Sequence, residues 1–433
     1  GGLQPPQAGR AAPGRTGNSV KIACVGAGPA GLYFAILAKR RGIASELTVY
    51  ERNPEHAGYG WGVTFGLELL RELRRHDPES ARDIDDAAFR WREQFVDIHG
   101  ERVAYASGVD IYNLNRPRLV QILAARARQL GIRVAYGEEI TKPAQLADAD
   151  LIVAADGVNS RLRQGAGNFG TEITESRDRY IWLGTDKPFR AFAYHFLETD
   201  HGWIWGSTYG VEDGLSTFVV HCAEQTWAGL GFDTMPIPDC LHVLGDMFKE
   251  QLDGHRLMGQ VGDPANARWQ NFRTVTSKRW HDGNVVLAGD AAHTTHFSAG
   301  LGSTLALEDA IALAGHLEHR PEGPGGLDAA LTAYERQRQA EIARGQREAR
   351  FSARWFAEID RYLDLEPHQF ATLLHARRSV ILPGLPPRLY YQFRRASRQA
   401  PVLRQLRPAA KAIRSHLRPA RPEAGGATAT DRK

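Results

Sequence analysis

Residues 287–304 read LAGDAAHTTHFSAGLGST. Asp290 stands three residues before His293, His293 stands three before His296, and glycines at 300 and 302 close the run. These types at this spacing fit a metal site, an acid/base pair, or a turn on which a cofactor lies. A metal site needs further Cys, His or carboxylate ligands, and the run lacks nearby cysteines or a second ligand pair, so no metal is expected. Imidazole titrates near neutral pH, so either histidine could serve in acid/base chemistry. His293 reads as part of the GDAAH turn.

A second constellation lies near the start. Gly26, Gly28 and Gly31 form GAGPAG directly after the apolar VKIACV and ahead of an Ala/Leu-rich segment. In a strand, turn and helix the first glycine permits the tight turn, the second lets the backbone approach a pyrophosphate, and the third allows close packing. The helix-start N–H groups then face the phosphate. Glu51 ends the next apolar strand, LTVYER, about twenty residues on, where a carboxylate accepts from ribose hydroxyls. Ala30, inside the turn, and Arg52, beside the carboxylate, are counted with them. This motif alone does not separate FAD from NAD.

The elements that must position these residues follow from the pattern. LELLRELRRH and RPRLVQILAARARQLG read as helices, IRVAYG and DADLIVAADGVNSRLR as strands leading into turns, and VVLAG (285–289) as an apolar strand with a helix from about Leu301. Between them RYIWLGT, FRAFAYHFL, GWIWGSTYG and STFVVHCA (180–223) are aromatic and β-branched segments split by turns, an antiparallel sheet. PEGPGG (321–326) links to a helical region. The expected order is a disordered leader (1–19), a first α/β part with excursions into the substrate domain (20–175), a β-sheet substrate domain (176–275), a second α/β part (276–320), helices (327–420) and a disordered tail (421–433). One α/β domain is thus interrupted by an antiparallel sheet.

Bulk properties narrow the class. The 433 residues suffice for a large core. Three cysteines, Cys24, Cys222 and Cys240, are odd in number and far apart, which argues against a disulfide framework and for a reducing cytoplasm. No apolar run approaches the ~20 residues of a membrane span. Residues 388–433 carry twelve Lys and Arg against two acidic residues, a local +10 within a total of +4, so residues 1–387 carry −6. The basic excess belongs to the tail, without the interleaved aromatics of a nucleic-acid groove. Neither nucleic acid nor membrane is expected as a partner, and the chain is expected as a monomer or homodimer.

VVLAGDAAHTTHFSAGLGST resembles the second FAD fingerprint of the group A flavoprotein aromatic hydroxylases, and LIVAADGVNSRLR resembles their Asp-Gly motif. With GAGPAG and Glu51, the three fingerprints stand in the right order. The resemblance implies a para-hydroxybenzoate hydroxylase-like fold, with a Rossmann-like FAD-binding domain, an antiparallel substrate sheet and C-terminal helices. It implies that Asp290 bonds the ribityl chain, Arg116 the pyrophosphate, and Asp156 the FAD or pyridine nucleotide. Gly62 and Val63 would lie against the flavin's reactive edge, and Gly302 and Ser303 would open a helix toward its N1 and O2, where reduced flavin is anionic. NAD(P)H would reduce FAD, and a flavin C4a-hydroperoxide would hydroxylate an electron-rich ring. A base or hydrogen-bond acceptor near the ring hydroxyl, His296 first, would help.

GWGVTFG, RYIWLGT, STFVVHCAEQTW, WQNFRTVTS and the Phe297-Ser298 step are similar to the branch holding salicylyl-CoA 5-hydroxylase, anthraniloyl-CoA monooxygenase and a monooxygenase of tryptophan-derived pigments. Phe297 and Thr304 stand where many aromatic hydroxylases have Pro and Asn, and His221 stands where relatives tend to carry a carboxylate. The expected substrate is an aryl-CoA or carrier thioester such as salicylyl-CoA. An indole-derived intermediate is the alternative. A flavin-binding protein that oxidises or protects an intermediate without hydroxylating it is the alternative of another class. A flavin halogenase is set aside because Trp203-Ile204-Trp205 continues as Gly206-Ser207 rather than with Ile-Pro.

Overall fold

The structure is a computed structural model. It describes residues 20–399 except His56, Gly58, Tyr59, Ser107, Val109, 260–265, Phe297 and Ala299. The expected leader and tail, the part of the helical region beyond 399, and Phe297 therefore lie outside the described residues.

The apolar strand Val20–Val25 pairs in parallel with Ala44–Glu51 on one side and Leu151–Ala154 on the other. Val285–Leu287 and Arg133–Tyr136 extend this sheet in parallel, and the short His281–Asp282 closes one edge antiparallel. Strands covered on both faces read as continuous apolar runs. LIVA and VVL are buried throughout. The helices Pro29–Arg40 and Gly302–Glu318 pack with them in the largest apolar cluster.

The second sheet is mainly antiparallel and wider than the aromatic segments alone suggest. Its order is Leu257–Met258, Thr171–Thr185, Leu215–Cys222, Gly202–Glu212, Phe192–Thr199, Gln94–Ile98 and Glu101–Ala106, with Gln270–Ser277 also on Thr171–Thr185. The hairpin 94–106 precedes the sheet's other strands by many residues and joins through a parallel pairing with Phe192–Thr199. Residues 224–252 are helical, Glu224–Gly229, Ile237–Met247 and Lys249–Leu252, and cover one face around Phe218 and Phe248. The other face meets the end of a long helix, Gly326–Ala357, and the helix Pro367–His375 through Trp205, Phe196, Phe356 and Phe370. PEGPGG ends as that long helix begins.

Where the first sheet meets the helices, a fully buried carboxylate joins three elements. Asp309 Oδ2 accepts from the Gly289 N–H (2.8 Å) and from His293 Nε2 (2.8 Å), and Oδ1 accepts from Arg338 Nε (2.7 Å). Arg338 is only 2 % exposed and also reaches Glu308 and Glu341. Burial alone would push the Asp309 carboxyl up, but His293 and Arg338 outweigh it and hold it below its ordinary value. Removing one partner of such a pair leaves an uncompensated charge, a cost of about 3–5 kcal/mol. Asp309→Asn is therefore expected to lower the unfolding free energy by that order in urea titrations, whereas replacing the exposed Glu318, which pairs with Arg41 at 3.2 Å, should cost under about 1 kcal/mol.

Candidate active site

The glycine turn is closed at two positions and open at one. Gly26 has φ +105°, and a Cβ there would stand 2.3 Å from the Ala155 carbonyl oxygen. A Cβ on Gly31 would stand 2.0 Å from the Gly26 oxygen, so strand and helix touch only because it is absent. Gly28 differs: its backbone is extended (φ −81°, ψ 180°), and a Cβ would meet nothing within 4 Å. Neither conformation nor protein packing demands glycine at 28. The space beside it suits a ligand backbone that must come close, and the helix behind it has no side-chain cap, leaving its first N–H groups for an anion.

Glu51 braces this turn. Its Oε2 accepts from the Ala27 N–H at 2.9 Å, and Oε1 accepts from Asn53 N at 2.9 Å and Asn53 Nδ2 at 2.7 Å. Arg52 is exposed beside it. Asp156 Oδ2 accepts from the N–H groups of Arg161 (2.7 Å) and Leu162 (3.3 Å), while Oδ1 is buried without a hydrogen-bond partner among the described residues. Burial pushes the Asp156 carboxyl up.

The Gly-Asp turn faces the same groove. Gly289 has φ +61°, and a Cβ there would lie 3.1 Å from the Ala30 Cβ, so this turn and the glycine turn close on each other. Asp290 is exposed, yet desolvation raises its carboxyl, with His293 and Arg116 opposing. A carboxyl surrounded by protein but open to solvent marks the floor of a cleft. Arg163, missed by sequence reading, donates to the carbonyls of Ala291 (2.8 Å) and Val158 (2.7 Å) and ties the Asp-Gly turn to the Gly-Asp turn. Nothing in the local sequence sets it apart from Arg161, two residues earlier.

Further along, the strand Gly62–Gly66 crosses the groove. Gly62 donates to Thr217 Oγ1 (2.9 Å) and accepts from the Tyr209 hydroxyl (3.0 Å), and a Cβ there would stand 2.3 Å from Val211. Val63 follows, half-buried. Arg116 begins the helix Arg116–Gln129, and its N–H donates to the Trp61 carbonyl at 2.7 Å. A Cβ on Gly300 would reach Thr64 at 2.8 Å, so the loop leading to Gly302 and Ser303 packs on this strand. Close contacts thus join the Gly-Asp turn to Ala30 and the loop before Gly302 to Thr64, and the charges of Arg116 and Asp290 act on each other.

The two sheet histidines part company. Tyr180, His221, Trp205 and Phe196 are register partners across four strands, and their rings form a row with centroids 6.2, 5.9 and 5.9 Å apart. His195, on the opposite face, is fully buried and bonds Asp97 at 2.7 Å and Thr208 at 2.9 Å. It is a core residue. Burial, then nearby His296, pushes His221 down to about 3, and burial pushes His296 down to about 4. Both imidazoles are neutral at pH 7.

His296 ends a chain of hydroxyls. Arg377 Nε donates to Ser352 Oγ (3.1 Å), Ser352 Oγ and Ser298 Oγ are 2.8 Å apart, and Ser298 Oγ is 2.8 Å from His296 Nδ1. The Ser298 backbone N–H also points to Nδ1, at 3.4 Å, a contact in which Nδ1 accepts. The neutral ring then carries its proton on Nε2.

A glycine turn on a parallel sheet, an Asp-bearing turn opposite it, and an antiparallel sheet covering the far end define a dinucleotide-dependent oxidoreductase. The family described as FAD binding domain matches residues 249–349. The chain is 36 % identical to salicyloyl-CoA 5-hydroxylase of Streptomyces sp, over 81 % of this chain and 68 % of that one. It is 35 % identical to 3-hydroxy-4-methyl-anthranilyl-[aryl-carrier protein] 5-monooxygenase of Streptosporangium sibiricum (78 % and 90 %), and 30 % identical to protodeoxyviolaceinate monooxygenase of Chromobacterium violaceum (87 % and 99 %). In fold it is similar to 2-methyl-3-hydroxypyridine-5-carboxylic acid oxygenase, with a TM-score of 0.64, 22 % identity, and 83 % of this chain and 96 % of that one covered. The chain belongs to the FAD-dependent aromatic monooxygenases, enzymes that use FAD, NAD(P)H and O₂ on a small aromatic substrate. No described helix is long and apolar enough to cross a membrane.

Two outcomes follow. Gly28→Val should fold, with unchanged circular dichroism, yet purify without yellow flavin, whereas Gly31→Val should fail to accumulate as folded protein; a flavin-replete Gly28→Val would remove the pyrophosphate from this turn. For His221, the unfolded ring titrates near 6.5 and the folded one near 3, so the unfolded chain binds the extra proton in that window. Stability is full above about pH 6.5 and falls as pH drops, by roughly 1.4 kcal/mol per pH unit. Urea unfolding at pH 7.5 and 5 should therefore show His221→Phe reducing the acid loss by about 2 kcal/mol; an unchanged loss would mean that the ring is hydrated.

Proposed function

We propose that the protein hydroxylates an electron-rich benzoyl ring carried as a thioester, with salicylyl-CoA, hydroxylated at C5, as the preferred case. The observation that carries this reading is the 36 % and 35 % identity to two enzymes whose names put the ring on a thioester and the new oxygen at position 5. C5 lies para to the hydroxyl or amine at C2, so the C2 group pushes electrons to the carbon that is attacked. FAD, reduced by NAD(P)H, activates O₂ and supplies the oxygen atom.

The chain's part is to bind, orient and keep water out. We assign Gly26, Gly28, Ala30, Gly31, Glu51 and Arg52 to the adenosine and pyrophosphate half of FAD, with Arg116 on the pyrophosphate and Asp156 on FAD or the pyridine nucleotide, where its unpartnered Oδ1 would accept a hydrogen bond. Asp290 would hold the ribityl chain, and Gly62, Val63, Gly302 and Ser303 the ring. The helix start at Gly302 opposes the negative charge of the reduced cofactor. His296 is the catalytic residue of this reading: its Nε2–H would donate to the carbonyl oxygen of the substrate and orient the ring, and Ser298 and Ser352 would hold the imidazole in that tautomer. His221, neutral within the aromatic row, walls the site with Trp205 and Tyr180.

The expected segments, 20–175 and 276–320 for FAD, 176–275 for substrate and 327–420 for helices, belong to the same proposal. So do a cytoplasmic setting, supported by three free, buried cysteines, and a monomeric or homodimeric state. A second reading, hydroxylation of an indole-derived intermediate, is favoured by the relative from Chromobacterium violaceum, 99 % of which is covered by this chain.

The holoenzyme is expected to oxidise NADPH faster with salicylyl-CoA than with free salicylate or tryptophan derivatives, and to place one atom from ¹⁸O₂ at C5. Stimulation by an indole derivative and not by any aryl thioester would move the assignment to the second reading.

A further inference from the structure

A cavity of about 170 Å³ begins at His296 and runs between the strands Thr171–Thr185 and Gln270–Ser277 and the long helix Gly326–Ala357. Its wall differs from the aromatic row beside it. Thr295, Gln346 and Arg350 line it along with sheet hydroxyls. The sheet and loop hydroxyls of Ser176 and Thr294 are occupied by backbone partners. Other groups are not. The Thr295 hydroxyl oxygen is buried without a partner, and the half-buried Gln346 amide and the exposed Arg350 guanidinium make no hydrogen bond or ion pair with any described residue. Arg347, exposed and equally unpaired, is a surface neighbour of Arg350 at helical i,i+3 spacing. Facing them, Glu175 is neutralised by Arg273 at 2.6 Å. The mouth is therefore positive, on a chain whose residues 1–387 carry −6.

An unpartnered buried hydroxyl is costly unless something else satisfies it, and a free amide and guanidinium follow it along the cavity wall. That series of hydroxyl, amide and guanidinium suits a flexible chain that carries amides and ends in a phosphate. It does not suit an aryl ring, which would leave those polar groups unpaired. We propose that this cavity seats the 4′-phosphopantetheine arm of the substrate, with Thr295 and Gln346 bonded to its amides and Arg350 and Arg347 holding its phosphate. This rests on the reading of the substrate as an aryl thioester. The 4′-phosphopantetheine unit is common to CoA and carrier proteins, so the site serves either.

The test compares wild-type holoenzyme with an Arg347→Ala/Arg350→Ala variant on three salicylyl thioesters: the CoA ester, the 4′-phosphopantetheine ester, and the N-acetylcysteamine ester, which ends before the phosphate. Loss of a charge-assisted phosphate contact should raise KM for the first two roughly tenfold or more, with kcat little changed. KM for the N-acetylcysteamine ester and for NADPH should stay within about twofold. Unchanged KM for the phosphate-bearing esters overturns the proposal. So does an equal rise for all three, a rise for the CoA ester alone, or a rise confined to NADPH, which would assign the arginines to the nicotinamide nucleotide. If wild type hydroxylates no thioester but does hydroxylate another ring, the substrate reading itself has failed, an outcome visible before any variant is made.

Discussion

The buried Asp309 carboxylate is the constraint on which the site's geometry depends. A charge with no solvent contact is tolerated only when every lone pair has a donor, and Asp309 obtains them from a turn, a histidine and a second helix. Because its donors come from different elements, their relative placement is fixed by one side chain. The Gly289 N–H can reach Asp309 only if the strand Val285–Leu287 stops there and turns with φ positive. Asp290, the next residue, must then leave on the side facing the glycine turn. The same helix that carries Asp309 begins at Gly302, so the cleft floor and the helix start move together. His293 completes the arrangement: its Nε2–H is spent on Asp309, its Nδ1 has no described partner, and its ring stacks on Trp280 at 4.9 Å. That is a structural role.

Burial acts differently on the sheet. Strand alternation sends neighbouring residues to opposite faces, so His195 and His221, both on the inserted sheet, have opposite fates. His195 meets a carboxylate and a threonine hydroxyl and is absorbed into the core. His221 stacks between Tyr180 and Trp205, where desolvation dominates and the ring stays neutral. A carboxylate in that row would face the same desolvation, which raises its pKa; an imidazole relieves it by remaining uncharged. Substituting histidine for a carboxylate therefore exchanges a charge, or a costly proton, for a flat neutral ring.

Much of this was legible in the sequence because the information was local. GAGPAG, Glu51, the Asp-Gly turn and the Gly-Asp turn each sit within a few residues of a strand end, and period and composition mark those ends. The aromatic segments from 180 to 223 likewise announced a sheet. What escaped notice was contributed by single residues distant in sequence. Arg163, Asp309 and Arg338 have ordinary neighbours and acquire meaning only when folding brings 163 to 291 or 338 to 309. The hairpin 94–106 was missed because its register partner lies nearly a hundred residues away, and short polar strands such as QFVDI and ERVAYA carry little alternation. The surroundings of His296 escaped notice for the same reason: they come from Ser298, Ser352 and Arg377, spread over eighty residues.

Two kinds of surface therefore meet at His296, and their difference has a physical logic. The aromatic row, whose Trp205 and Phe196 pack on Phe356 and Phe370, contributes dispersion and excludes water behind Tyr180 and His221. Paired polar groups in such a wall would compete with the cofactor for the ring's substituents. The wall between sheet and long helix instead leaves a buried hydroxyl unpaired, at a cost to the free protein, with a half-buried amide and an exposed guanidinium beyond it. Unpaired groups of that sort are retained where a ligand completes them, because the site then discriminates against molecules lacking the matching atoms, more sharply than an apolar pocket can reject one extra methylene. Selectivity for the ring and for what the ring is attached to can then reside on different faces of one fold, and each can change without disturbing the Asp309 junction that holds the cofactor turns in place.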